Sequence, residues 1–293
     1  MSTKAPTLRS FHLRFPTEDS CLDHLMRTRF GERLTCFKCQ KQARYYRARG
    51  RRSYACEHCG YQVYPTAGTP FEKTRTSLRD WFLVMFLFTT SRNGVAAKEV
   101  QRQIGVTYKT AWRMCREIRK YMGYVDGDHT LGGEGGSGVV ELDHTVIGGK
   151  DRIGHDDKAI VLGMIEREGD VIARVVPAHD HFEVTPHLYK FVTKSASIMT
   201  DEARAFRAAC SIYKHQMVNH RAKEYVRGEV HTNNIESFWA IVQRSIAGTY
   251  ISVSKKHLQK YLWEFEFRQN LRKAPHLMFD LLLQSFPKVR VEP

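Results

Sequence analysis

Seven side chains have types and spacings that suit chemistry. Cys36-Phe-Lys-Cys39 and Cys56-Glu-His-Cys59 are separated by 16 residues, the paired Cys-x-x-Cys pattern of a tetrahedral zinc site. Four thiolates fill every position, so such a zinc is structural and leaves no place for a reacting water. His58 lies between two ligands but is not needed. Further along are three acids: Asp143 within Val139–Gly149, Asp201 at the end of Ser197-Ile-Met-Thr-Asp201, and Glu236 within His231–Trp239. They are separated by 57 and 34 residues. Two strands and a helix would bring them together. Carboxylates are the hard oxygen donors that Mg2+ or Mn2+ takes. Two such ions suit in-line displacement at phosphorus: one activates the attacking oxygen, the other stabilises the leaving oxygen.

The charge balance points to the substrate. Lys and Arg number 46 against 31 Asp and Glu, a formal charge of +15 with a pI near 9.6. Such a balance favours a polyanion, nucleic acid first; the plainer reading is a merely basic soluble enzyme. No basic amphipathic segment stands apart as a membrane-surface helix. The apolar run Trp81–Phe88 is too short to span a bilayer. Met1–Pro16 is polar and basic, unlike a secretory leader. Seven cysteines, four of them in two pairs, indicate metal binding in a reducing compartment, so the cytoplasm is expected.

The elements that must carry these residues follow in order. Residues 1–70 hold a helix over 17–30 and the ribbon. Thr17 opens the helix, Gly31 closes it, and Cys21 is a buried helix position. Between the cysteine pairs, alternating segments form a small hairpin, with Tyr61-Gln-Val-Tyr64 as a third strand: a zinc ribbon. Its basic, aromatic face, Arg44 and Arg47 included, suits phosphate contact; the plain reading is that it only solvates a small domain. Residues 71–125 turn helical. Ser77–Phe88 is apolar nearly all round and therefore buried. Ala96–Ile104, a turn at Gly105, and Thr107–Tyr121 make a helix-turn-helix pattern. Its second helix carries Tyr108, Lys109, Thr110, Arg113, Arg116 and Arg119 for a DNA groove. An ordinary helical hairpin gives the same pattern. Residues 126–138 contain six glycines and read as a flexible linker.

From 139 to 293 the period changes. Three antiparallel strands, a helix, a strand ending at Asp201, a helix, a short strand and a helix over 233–247 follow one another. That is the order of a ribonuclease H-like mixed sheet flanked by helices, so the chain is expected to be a multidomain α/β protein. In that fold the first and fourth strands lie side by side. Each acid also has a local alternative. Asp143 would be a lone edge charge, Asp201 a helix N-cap, and Glu236 the far half of a capping box with Asn233. His231 reads as a local hydrogen-bonding residue, and Lys255–Lys273 as an amphipathic basic helix.

Asp143-His-Thr-Val-Ile-Gly-Gly-Lys150, His231-Thr-Asn-Asn-Ile-Glu-Ser-Phe-Trp239, Gly248-Thr-Tyr-Ile-Ser-Val-Ser254 and Tyr261–Asn270 resemble segments of a known family. It is the DDE transposases of bacterial insertion sequences, in the group with an N-terminal zinc ribbon. The resemblance covers nearly the whole chain. It implies that Asp143, Asp201 and Glu236 hold two catalytic Mg2+ or Mn2+ ions and that Cys36, Cys39, Cys56 and Cys59 hold Zn2+. It implies binding to terminal inverted repeats and target DNA, strand cleavage to a free 3′-hydroxyl, and joining. DNA contacts are expected from Arg44, Arg47, Tyr108, Lys109, Arg113, Lys150, Gln243 and Arg244. A homo-oligomer, dimer or larger, is expected on DNA, in the bacterial cytoplasm at the nucleoid. Two positions depart from the group: His144 stands where Glu is common, and Gln243 where Lys is common. Asn233 or Asn234 is a further possible ligand beside Glu236. The other readings are a domesticated, non-catalytic DNA-binding regulator and a structure-specific nuclease of the same fold.

Overall fold

The computed structural model describes residues 6–133, 137–149, 158–201, 203–219, 222, 224 and 226–287. The chain divides into two compact units, residues 1–121 with 274–293, and residues 122–273. Ala274–Pro293, expected from sequence to extend the catalytic half, is grouped with the N-terminal residues.

In the first unit, α1 (Leu8–Arg14) and α2 (Glu18–Phe30) begin with the same device. Thr7 and Thr17 each exchange side-chain and backbone hydrogen bonds with the serine three residues on, which satisfies two otherwise orphaned N–H groups. Gly31 ends α2 at φ 74°. Cys21 is fully buried, and burial pushes its thiol up to about 12, consistent with a core residue. The ribbon follows as short strands β1 (Leu34–Thr35), β2 (Gln42–Ala43), β3 (Tyr45–Arg47), β4 (Tyr54–Cys56) and β5 (Gln62–Val63). The first two pair with each other, and β3-β4-β5 form an antiparallel sheet. α3 (Leu78–Thr90) is capped by Ser77 and buries eight residues, as its unbroken apolar run requires. Phe71, Trp81, Phe82, Phe279 and Phe286 share its aromatic core. α9 (Met278–Ser285) buries Met278, Phe279, Leu282 and Leu283. α4 (Ala97–Ile104) ends at Gly105 in the left-handed region, and α5 (Tyr108–Asp126) begins two residues after Val106, with Thr107 accepting from Thr110 N–H.

The second unit is built on a five-stranded sheet of order β10-β9-β6-β7-β8. β6 (Val139–Ile147), β7 (Ala159–Glu166) and β8 (Val171–Val176) form an antiparallel meander. β9 (Ser197–Thr200) lies parallel to β6, and β10 (Lys214–Met217) parallel to β9. α6 (His181–Phe191), capped by Asp180, links β8 to β9. The helix expected after the strand ending at Asp201 is a 3-10 helix at Arg204–Ser211. α7 (Asn233–Ser245) passes into a π-helical turn at Ile246–Tyr250, and α8 (Lys255–Asn270) closes the unit.

Strand alternation divides the core. Val140, Leu142, Leu162 and Met164 face α6 and the 3-10 helix, while Ile147, Val161, Ile165 and Ala173 face α7 and α8. The described part of the glycine-rich stretch is tied to this unit. Leu131 is buried and pairs with Val192, and Glu166 accepts from the N–H groups of Gly132 and Gly138 at 3.0 and 3.2 Å. Among the described residues no helix is long and apolar enough to cross a membrane.

Candidate active site and metal centres

The four cysteines converge. Their sulfurs lie within 4.8 Å of one another, with Cys36–Cys59 at 3.5 Å and Cys39–Cys56 at 3.9 Å. Each pair sits on the same turn. Gln40 N–H donates to Cys36 O at 2.9 Å, and Gly60 N–H to Cys56 O at 3.0 Å. The residue after each pair has positive φ, 58° at Gln40 and 70° at Gly60. Two equivalent turns thus aim four soft donors at one centre, the donor set for a structural Zn2+. It is the one such group of three or more potential ligands gathered this tightly among the described residues.

The acids come together through the sheet. β6 and β9 pair in register from Val139↔Ser197 to Leu142↔Thr200. Asp143 and Asp201 are therefore the next residues on adjacent strands, and the expectation that these strands neighbour each other holds. Alternation turns Glu141, Asp143 and Thr145 toward the α7 side, opposite Val140 and Leu142. α7 buries Ile235, Phe238, Trp239 and Val242 against that face, which leaves Glu236 on the exposed side of its first turn.

Electrostatics report the convergence. Burial first, then the neighbouring charge of Asp201, pushes the Asp143 carboxyl up to about 7; Glu236 adds to the rise. The backbone N–H of His144 donates to Asp143 Oδ1 at 2.7 Å and opposes the shift. The buried indole N–H of Trp239 also opposes it, close to the carboxylate but without a hydrogen bond of ordinary geometry. A buried carboxylate whose proton affinity is raised by two neighbouring acids favours a bound cation.

The local alternatives resolve in part. Asp201 Oδ1 does accept from Ala203 N–H at 3.0 Å, so it caps the following turn as well. Glu236 is not half of a capping box. Thr232, not Asn233, is the N-cap, and its hydroxyl donates to Glu236 Oε1 at 2.8 Å. The cap comes from the sheet instead. Glu141, fully buried, accepts at Oε2 from the N–H groups of Asn234 and Ile235 at 2.8 and 3.2 Å. Its Oε1 accepts from Asn234 Nδ2 at 2.8 Å and Arg167 Nε at 2.9 Å, with His231 Nδ1 at 3.2 Å. Sequence reading passed over Glu141 because it sits in an apolar strand and its partners are remote in the chain. Gly163 was also passed over. It lies opposite Asp143 in register, and a Cβ there would stand 2.3 Å from Trp239 Cζ2.

The remaining residues divide. Tyr108, Lys109 and Arg113 are exposed, as are Arg44, Gln243 and Arg244. Arg47 is instead bound to Asp19 at 3.1 Å and to the carbonyls of Ala48 and Ser53. Arg119 is buried, with Nη2 donating to Val95 O at 3.2 Å, so it does not face a groove. Gln243 donates to Thr145 Oγ1 at 3.1 Å. His144 lies on the sheet face opposite Asp143, stacked on Phe206 at 4.8 Å and held neutral by burial, which pushes it down to about 4. Asn234 points its amide nitrogen at Glu141. Lys150 lies outside the described residues.

Comparison with known proteins agrees with this anatomy. Residues 16–62 match the transposase zinc-ribbon domain, and residues 135–270 the ISXO2-like transposase domain. A protein of Halobacterium salinarum, described as an uncharacterized protein in transposable element ISH50, is 25% identical over 286 residues, 89% of this chain and 94% of its own length. With the cysteine turns and the paired strands both in place, the chain belongs to the insertion-sequence transposases that join a zinc ribbon to a DDE domain.

Proposed function

We propose that the protein binds the terminal inverted repeats of its own element and carries out metal-dependent cleavage and joining of DNA strands. The observation that carries this reading is the register of β6 and β9, which sets Asp143 beside Asp201, with Glu236 delivered across them by α7. The donor set is all oxygen and half open to solvent, a fit for Mg2+ or Mn2+. When bound, a pair of such ions supplies Lewis-acid activation of the attacking oxygen and neutralises charge on the leaving one. Asp143, Asp201 and Glu236 would together hold such ions, with Asp143 feeling the charge of both other acids. Trp239 and Ile235 exclude water from beneath Asp143. The excess of positive charge draws DNA, and the exposed Tyr108, Lys109 and Arg113 offer contacts at the start of α5. Arg244 adds a cation on the α7 surface. A dimer or larger assembly is required to hold two element ends at once.

The DNA flanking the gene supplies a first test. Inverted repeats bordered by a short target duplication are expected. Duplexes carrying those repeats should be retained by the protein in preference to unrelated DNA and joined to a plasmid in Mg2+ or Mn2+. Selective retention without any joined or cut product would favour a domesticated DNA-binding regulator. Cutting without joining would favour a nuclease.

A further inference from the structure

α7 carries Glu236 in its first turn, yet its own N-cap residue, Thr232, gives no side-chain bond to the helix backbone. The orphaned N–H groups of Asn234 and Ile235 are met from another element, by Glu141 of β6. Glu141 is two residues before Asp143 on the same strand face. It is fully buried, and both of its oxygens are engaged. A carboxylate at a helix N-terminus is favoured by the exposed donors and the helix dipole. Here that preference clamps one metal-binding element onto the other. Arg167 completes the clamp: its Nε binds Glu141 Oε1 at 2.9 Å and its Nη2 donates to His231 O at 3.1 Å, just ahead of α7. The charge of Glu141 is thereby compensated, as a buried carboxylate requires.

We propose that Glu141 is a positioning residue for the catalytic acids: it fixes the distance between Asp143 and Glu236 by holding the first turn of α7 against β6. The proposal rests on the reading of Asp143, Asp201 and Glu236 as cation ligands. It also assigns work to His231 and Asn234. Asn234 Nδ2 donates to the clamp and the His231 carbonyl accepts from Arg167, so both serve as clamp partners and not as ligands. A site whose ligands are rigidly spaced binds its ion tightly; loss of outer partners of this kind usually costs about 10–100-fold in metal affinity or activity.

The test is a titration of the full-length, zinc-loaded protein with Tb3+, read by luminescence sensitised through Trp239, together with cleavage of an end duplex at varied Mn2+. Glu141→Gln should weaken Tb3+ binding and raise the half-saturating Mn2+ by about ten-fold or more. It should lower kcat while the KM for DNA is unchanged. A residue that served folding alone would lower the melting temperature and leave both titrations in place, and that result would overturn the proposal. Should Glu141→Gln not fold, Arg167→Gln is the deciding variant, with the same shift expected in smaller measure and an unshifted titration counting against the clamp. Wild type and Asp143→Asn separate the two readings. If the wild type neither binds Tb3+ nor cleaves, the catalytic reading itself fails. If the wild type does both and Asp143→Asn does neither, while Glu141→Gln matches wild type, only the clamp fails.

Discussion

Gly163 and Trp239 meet where no side chain can enter: a Cβ on Gly163 would stand 2.3 Å from Trp239 Cζ2 and 2.7 Å from Ile235 Cδ1. Gly163 faces Asp143 across the β6–β7 ladder. The missing side chain therefore lets α7 descend onto the sheet beside Asp143. Gly163→Ala should force the helix outward, costing about 1–3 kcal/mol of stability as overpacking does. Chemical denaturation measures that loss. Cleavage should fall more steeply than stability, because Glu236 moves with the helix.

Asp143 gives the pH dependence its sign. Its carboxyl is pushed up to about 7 in the folded chain by burial and by Asp201, against an ordinary value near 3.9 when unfolded. Between those values the folded protein keeps a proton that the unfolded chain has lost. Without divalent ions, this group's contribution to stability should therefore be full below about pH 4, decline as pH rises toward 7, and level off beyond it. Added Mg2+ should raise the melting temperature more at pH 8 than at pH 5. Asp143→Asn should melt higher than wild type at pH 8 without Mg2+ and gain less from the ion. An equal Mg2+ gain in the two proteins would contradict the assignment.

Much of this was legible in the chain, for physical reasons that differ by residue. The cysteine turns are local, so spacing alone revealed them. Asp143 and Asp201 follow from strand order, since a meander followed by a helix returns the fourth strand beside the first. Glu141 was hidden because an acid in Val-Val-Glu-Leu-Asp has no local sign of a partner; Arg167 and Asn234 reach it only through the fold. Arg47 read as a phosphate contact of the ribbon and Arg119 as groove-facing, whereas their positions place them in an ion pair with Asp19 and in the core. The glycine-rich stretch read as free linker, but Glu166 holds Gly132 and Gly138. That contact depends on backbone N–H groups, which composition does not show.

The ribbon should depend on its metal. Four cysteine sulfurs gathered within 4.8 Å cannot all ionise without a cation, and so small a domain has little core to replace the lost metal cross-link. Chelation of zinc or Cys36→Ser should abolish ordered signals from residues 34–63 in amide exchange. Strands 139–147 and 159–166 should remain protected. Affinity for the element end should fall as well; full affinity after zinc loss would remove the ribbon from the DNA-binding surface.

Gln243 offers a gain-of-charge test. Its amide donates to Thr145 Oγ1 on the exposed flank of α7, where a cation would meet a DNA phosphate. Gln243→Lys should tighten end binding and steepen the dependence of log affinity on log salt by about 0.9, one phosphate contact. An unchanged slope would place this flank away from DNA.

The most direct measurement is cleavage and joining of an end-labelled duplex carrying the element's own terminus, with Mg2+ or Mn2+, by wild type, Asp143→Asn and Asp201→Asn. Wild type should yield a free 3′-hydroxyl at the element end and a joined product. Each variant should bind the duplex as tightly as wild type and yield neither. Variants that cut as well as wild type, or a wild type that binds the end yet gives no product with either metal, would contradict the assignment of this carboxylate trio as the catalytic centre.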